Sequence, residues 1–252
     1  MTPHLRKLFF ESLYKNRYLY RFASTVPFAG QWRIWQGLIL SRIHGHDVLE
    51  LGCGLGDLLA DMLEAGYMCR AVEQSPQMLA ATRATLTRRH AGAPSCVIQG
   101  SAQKLPFSAN TFDTVVSTFP ADYIHDPDTI SEVERVLRPG GRLIVVEGAH
   151  LQSVGYLQPF LLLIQWLVYG SGVFARDKAA SSSENISETR MNTDNTTVFT
   201  TKELTGMPFG NLIPLEQFSF KRRSQQIQSR RWQAFITIGE KPTPETVSTI
   251  AE

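Results

Sequence analysis

Little in this 252-residue chain is extreme, and each shortage excludes something. Cysteine is scarce. Cys53, Cys69 and Cys96 form no C-x-x-C pair and have no histidine at ligand spacing, which argues against a zinc site or a disulfide framework. So few cysteines, and an odd number of them, fit a reducing, cytoplasmic setting. Charge of one sign is also missing: 25 Lys and Arg against 23 Asp and Glu leave a net +2, too weak a field to argue for nucleic acid. The small basic clusters Lys221-Arg222-Arg223 and Arg230-Arg231 read as solvated strand ends. Long apolar runs are absent as well. The greasiest stretch, around Phe160 to Tyr169 with Pro159 and Gln165, falls short of the ~20 residues a membrane span needs. The first residues are interrupted by charge too often for a signal peptide. What remains is a 43% hydrophobic chain, enough to pack a core, so a wholly disordered protein is excluded.

Three regions differ in character. Residues 1–45 are helical in pattern and rich in aromatics, with Leu5, Leu8, Phe9 and Leu13 on one face and Trp32 and Trp35 following. They form an N-terminal helical extension, packed on the core or closing as a lid over a ligand. Residues 46–150 alternate short apolar strands with amphipathic helices. The strands are expected at Asp47–Leu51, Met68–Glu73, Ser95–Gln99, Phe112–Ser117 and Arg142–Glu147, with helices over Leu55–Ala65, Ser75–His90 and Asp128–Leu137. Such alternation predicts a parallel α/β sheet. Residues 151–175 are an apolar helix pattern, and 176–198 a polar, Ser-, Thr- and Asn-rich loop. Thr200-x-x-Glu203 is a capping box. Leu215–Lys221 and Trp232–Ile238 then alternate as an antiparallel pair, before a frayed tail over 241–252.

The chemistry concentrates at Val48-Leu-Glu-Leu-Gly-Cys-Gly-Leu-Gly56, between the first strand and the first helix. Closely spaced glycines let a ligand approach the backbone, and the helix behind them offers free N–H groups. A dinucleotide turn would read G-x-G-x-x-G. Here Asp57 takes the last position, where a carboxylate would repel a pyrophosphate, and Glu50 adds a second negative charge. The pair suits a cationic or zwitterionic ligand.

Glu50, Gly52, Gly54 and Gly56 together resemble the first motif of class I S-adenosylmethionine-dependent methyltransferases, and Cys53 lies within it. Further segments agree in order and spacing: Glu73 closing the second strand in Ala-Val-Glu-Gln-Ser-Pro-Gln-Met, Gly100-Ser-Ala-Gln-Lys-Leu-Pro-Phe107, Phe112-Asp-Thr-Val-Val, and Glu134-Arg-Val-Leu-Arg-Pro-Gly-Gly-Arg-Leu. The likeness covers residues 46–150 and is nearest to the methyltransferase type 11 branch, similar to the ubiquinone- and menaquinone-biosynthesis enzymes. It implies a doubly wound, seven-stranded Rossmann-like sheet with an antiparallel last strand, over 46–240. It implies S-adenosylmethionine as cofactor and S-adenosylhomocysteine as product. It implies that Glu73 accepts the ribose hydroxyls, that Gln74 and Met78 flank the adenine, and that Ser101, standing where the family has Asp, and Ala102 lie along it. Thr118 contacts the cofactor or walls the pocket with Phe119. The last of the motifs is scaffold.

Methyl transfer is an in-line displacement, in which positioning does most of the work. A base is needed where the nucleophile carries a proton. The loop after the fourth strand supplies the candidates Asp122, Tyr123 and His125, with His150 beyond the fifth. His125 stands next to Asp126-Pro127 and also fits as a cap for the next helix. The acceptor pocket is expected under the N-terminal helices and the insert at 151–200. The apolar insert is core or dimer packing, a pocket for an apolar or amphiphilic small molecule, or a peripheral membrane contact. Monomer and homodimer both remain open. Nucleic-acid methylation lacks its motifs. A cyclase-like reaction on the same fold and a non-catalytic binding protein are the alternatives.

Overall fold

In the computed structural model, which describes residues 16–151, 196–199 and 213–243, the strand Asp47–Leu51 (β1) lies inside one continuous sheet. Met68–Glu73 (β2) and Val97–Gln99 (β3) extend the sheet on one side, and Phe112–Thr118 (β4) and Leu137–Leu151 (β5) on the other, all parallel. Trp232–Glu240 (β8) runs antiparallel to β5, Lys221–Gln228 (β7) antiparallel to β8, and Thr196–Phe199 (β6) antiparallel to β7. The order is β3-β2-β1-β4-β5-β8-β7-β6. The seven expected strands are therefore present in a doubly wound order that reverses between β1 and β4, and a short eighth strand is added at the far edge.

Helices cover both faces. Arg17–Thr25 (α1) and Trp32–Gly37 (α2) precede the sheet. Asp57–Glu64 (α3), Pro76–Arg89 (α4) and Pro127–Val136 (α5) fill the crossovers. On one face Val48, Leu58, Leu59, Met62, Ile144 and Val146 pack with Trp35 and Ile39 of the N-terminal region. On the other, Leu49, Leu51, Val115, Val145 and Phe112 pack with Ile130 and Val133 of α5. Alternate strand residues thus point to opposite faces, and both faces are apolar, as a buried parallel sheet requires.

Several local expectations are corrected. Leu215–Gln217 is a 3-10 turn, and the strand begins only at Lys221, because Leu215 is buried into the core beside Ile213. Thr196–Val198, expected in the polar loop, lie in β6. The fifth strand runs past Glu147 to Leu151. Lys241, expected in the frayed tail, is anchored. Its ammonium donates to the carbonyls of Glu134 (2.6 Å) and Leu137 (2.7 Å), the open end of α5. The expected helix over 151–175, the polar stretch 176–195, the capping box at Thr200 and residues 1–15 lie outside the described residues.

The Arg-Pro-Gly-Gly segment loops out between Leu137 and Arg142. Its Arg138 guanidinium reaches Asp47 (2.8 Å) and Asp113 (2.6 Å). Asp113 also accepts the backbone N–H groups of His46 and Asp47. Burial pushes the Asp113 carboxyl up, but these hydrogen bonds outweigh it and hold the carboxyl below its ordinary value. The motif is scaffold, and these contacts are how it holds β1, β4 and β5 together.

Candidate functional site

The glycine turn sits at the carboxyl end of β1, beside the point where strand order reverses, the place where open α/β sheets bind ligands. Gly52, Gly54 and Gly56 all adopt positive φ (68°, 55° and 77°), which L-residues avoid. Their neighbours separate their roles. A Cβ at Gly56 would lie 2.5 Å from Cγ2 of Thr82, so this glycine lets α4 pack against the turn. A Cβ at Gly54 would meet the Tyr20 hydroxyl at 3.5 Å, and one at Gly52 the Tyr123 hydroxyl at 2.8 Å. Both face tyrosine side chains arriving from elsewhere in the chain.

The two carboxylates behave differently. Glu73 is fixed by the backbone: one oxygen accepts the Gly54 N–H (3.0 Å) and the other the Ser75 N–H (2.8 Å). Glu50 is 1% exposed, and its Oε2 is buried with no hydrogen-bond partner. Its pKa is pushed up to about 8, first by burial and then by the nearby Glu73. A buried carboxyl without a donor is a group lacking its counterpart. The ammonium end of S-adenosylmethionine would supply it, while Glu73 keeps acceptor capacity for hydroxyls. The cradle therefore fits that cofactor.

Asp57 is not part of this pair. It forms an ion pair with Arg21 of α1 at 3.2 Å, which with Tyr20 lays α1 across the turn. Arg33 of α2 pairs with Asp61 of α3. Cys53 is buried with its sulfur 3.5 Å from the Thr82 hydroxyl, and burial, then Glu50, pushes its thiol up. It is filler rather than a reactive thiol. Gln74 is exposed beside Glu73. Met78 is fully buried against Leu55 and Ala81, so as placed it offers no surface to an adenine. Ser101 and Gln103 close a small side-chain turn, with Ala102 against the core. That loop is held by α5: Glu132 accepts the Leu105 N–H at 2.7 Å, and Arg135 donates to the carbonyls of Phe107 and Leu105.

The loop after β4 brings the other candidates together unequally. Thr118 accepts a long hydrogen bond from Gln36 at 3.5 Å. Phe119 has φ 49°, uncommon for an aromatic residue and a sign of an imposed conformation. Its ring stacks on Trp32 with centroids 4.0 Å apart, and Trp35 meets it edge-on. The Tyr123 hydroxyl bonds to Ser117 Oγ (2.8 Å) and donates to the Leu51 carbonyl (3.1 Å), bracing the ends of β1 and β4. Asp122 is exposed. His125 is not a helix cap, because Asp126 accepts the Asp128 N–H. Instead its Nδ1 is buried without a partner. The side chain of His150 lies outside the described set. Glu147, at the irregularity of the β5–β8 ladder and with its carboxyl pushed up by burial, was not singled out from the sequence, where it is an ordinary strand-end acid. Among the described residues, no helix is long and apolar enough to cross a membrane.

Comparison with known proteins agrees with this geometry. The profile of the methyltransferase domain family matches residues 49–145. A demethylmenaquinone methyltransferase of Symbiobacterium thermophilum is 33% identical over 189 residues, covering 67% of this chain and 71% of that protein. A demethylmenaquinone methyltransferase of Corynebacterium efficiens is 34% identical over 132 residues, and there the chain spans about half of the relative, 54%, with 51% of its own length matched. Among solved structures, a Pyrococcus horikoshii protein superposes with a TM-score of 0.52 at 18% identity, over 87% of this chain and 95% of that one. A Methanococcus maripaludis protein, described as a candidate S-adenosylmethionine-dependent methyltransferase, gives 0.53 at 17% identity, over 86% and 87%. At such identities the structures speak for the fold alone.

Proposed function

Because the chain belongs to the class I S-adenosylmethionine-dependent methyltransferases, in the ubiquinone and menaquinone branch, its own residues have the acceptor left to decide, and we propose a flat, apolar, quinone-like ring in its reduced, hydroquinone form. The observation that supports this reading is the Trp32–Phe119 stack beside the end of β4. Half-buried aromatic faces at an acceptor site favour a planar ring over a sugar or an amine. The relatives named for demethylmenaquinone point the same way. The exposed Tyr18, Leu19, Phe22 and Ile34 on the N-terminal helices suit an acceptor with a long apolar tail. In this reading residues 1–45 are the lid, 46–240 the methyltransferase domain and 151–200 the substrate cap.

The cofactor, when bound, supplies a methyl group on a positively charged sulfur. Glu50 would hold its ammonium group, the Gly52–Gly54 backbone its main chain, and Glu73 its ribose hydroxyls. Ser101 and Ala102 would line the adenine, and Thr118 would border the methyl. Trp32 and Phe119 would orient the acceptor ring and exclude water, the positioning that an in-line displacement depends on. An oxidised quinone is electron-poor and would not attack, which is why the reduced ring is specified. The test supplies labelled S-adenosylmethionine with a short-chain demethylmenaquinol, its quinone, and a catechol. Label on the ring carbon of the quinol alone is the expected result. Label on a catechol oxygen, or on none, overturns the acceptor.

A further inference from the structure

Gly54 and Gly56 share one turn and one backbone hand, but only Gly56 is explained by packing inside the chain. The Gly54 N–H donates to Glu73 and its carbonyl accepts from the Thr82 hydroxyl at 2.6 Å, so both polar backbone atoms already have partners in the protein. Besides serving a left-handed φ, the missing side chain leaves space, and Tyr20 stands across it. The three nearest atoms that an added Cβ would meet all belong to Tyr20: the hydroxyl at 3.5 Å, then Cε1 and Cζ at 3.8 Å. A ligand that follows the turn past Gly54 therefore runs along the phenol.

Tyr20 is held there by contacts of α1 with the rest of the fold. Asn16 caps α1 by accepting the N–H groups of Tyr18 and Leu19, at 2.9 and 3.3 Å. Tyr20, Ala23 and Ser24 share one helix face at i, i+3 and i+4. Ala23 and Ser24 are buried, and the Tyr20 ring packs against Leu55, Met78 and Ala81. The next residue, Arg21, reaches Asp57 in the first turn of α3 at 3.2 Å, with the Arg21 side chain half exposed and Asp57 less so. One turn further along α3, Asp61 pairs with Arg33 of α2 and with Arg89 of α4, the latter at 2.8 Å. The helix that starts at the glycine turn thus holds both N-terminal helices by its acidic edge. The shared methyltransferase profile spans 49–145, so α1 and its tyrosine lie outside it.

We propose that α1 is a wall of the cofactor site: the Tyr20 hydroxyl hydrogen-bonds bound S-adenosylmethionine beside Gly54, and the Arg21–Asp57 pair is the latch that keeps it there. The proposal rests on the reading of residues 1–45 as a lid and assigns what α1 covers, the cofactor, whereas in that reading Trp32 of α2 faces the acceptor. A phenol suits the place. Its ring packs on Leu55, Met78 and Ala81 while its polar tip meets a ligand rich in hydrogen-bonding groups. The latch is a partly exposed ion pair and therefore weak, which lets α1 lift for cofactor exchange.

Three measurements on the full chain test it, with S-adenosylhomocysteine as the probe. In calorimetry Tyr20→Phe, which keeps the packing, should bind the probe about two- to tenfold more weakly, the range of one lost hydrogen bond, with the melting temperature of the free protein unchanged. Parental affinity overturns the contact, as does a loss accompanied by a lower melting temperature of the free protein, the mark of a packing role. Amide exchange over Arg17–Thr25 should slow by about tenfold or more when the probe is added to the unaltered protein. Exchange that the probe leaves unmoved overturns the proposal. Slowing by short-chain demethylmenaquinol and not by the probe keeps a lid but gives it to the acceptor, which overturns the proposal too. The other arms contain no acceptor, so they stay decisive if the quinol reading fails. For the latch, Arg21→Ala and Asp57→Asn should each release the probe about two- to fivefold faster, the span of an exposed ion pair, and the double variant no faster than either. Additive effects, or a parental release rate in Arg21→Ala, overturn the latch.

Discussion

The Trp32 indole lies over the Phe119 ring at 4.0 Å between centroids and 30° from parallel, joining the second N-terminal helix to the loop after β4. Phe119 accepts a positive φ to be there, so the contact is imposed by the surrounding structure. Stacked pairs of this kind contribute ~0.5–1.5 kcal/mol beyond area burial. Trp32→Ala should raise acceptor KM by about tenfold, which is ~1.4 kcal/mol. Cofactor affinity by calorimetry should be unchanged. A parallel loss of cofactor affinity would show that the stack supports the cradle rather than the acceptor.

Glu50 predicts a pH signature. Its folded-state value, pushed up to about 8, stands above the ~4.3 of an unfolded glutamate. The folded protein thus holds this proton more tightly than the unfolded chain. The stability associated with it is complete below about pH 4 and is lost as pH rises towards 8. Glu50→Gln, neutral throughout, should melt close to the parent near pH 5 and above it near pH 8.5. Binding of the cofactor ammonium needs the carboxylate, so near pH 7 it should release a proton, read as a dependence of calorimetric enthalpy on buffer. The Gln variant should bind weakly and release none.

Glu73 accepts two backbone N–H groups, and in the proposed reading it also takes the ribose hydroxyls. Charge-assisted hydrogen bonds of this type are worth ~1.5–3 kcal/mol. Glu73→Ala should weaken S-adenosylhomocysteine binding by roughly 10- to 150-fold. Unchanged affinity would remove Glu73 from the site.

The glycines should separate in experiment. Gly56→Ala places a Cβ 2.5 Å from Thr82 in left-handed backbone, and should lower the melting temperature by several degrees, on a strain of roughly 1–2 kcal/mol. At Gly54, also left-handed, an added Cβ would meet only the Tyr20 side chain, at 3.5–3.8 Å, so Gly54→Val shares the backbone strain without the Thr82 clash. It should instead abolish cofactor binding while leaving the far-UV spectrum folded. Equal loss of stability in both would refute the division.

The sequence by itself determined the parallel α/β core, because strand and helix periods and the glycine punctuation between them are local, chemically specific patterns. Ser75 as a cap, the breaks at Gly66 and Pro139, and the acids Glu50 and Asp57 beside the glycine turn were legible as spacing, whereas Glu73 entered through the family resemblance. Only the tertiary structure decided which face each residue serves. Met78 and Gly56 look alike to a motif, yet one is sealed under Leu55 and the other admits Thr82, because α4 packs close against the turn. Asp57 reads as a site acid until Arg21, 36 residues earlier in the chain, pairs with it. Leu215 to Lys221 alternates like a strand, but burial of Leu215 among long-range neighbours bends its first half into a turn. Glu147 is the clearest case. Nothing local distinguishes it, and the burial that pushes its carboxyl up exists only once β5, β8 and β7 are paired with a bulge between them. Periodicity and turn chemistry are properties of neighbours in sequence, whereas the charge a carboxylate faces depends on chain segments far removed in sequence and brought together by the fold.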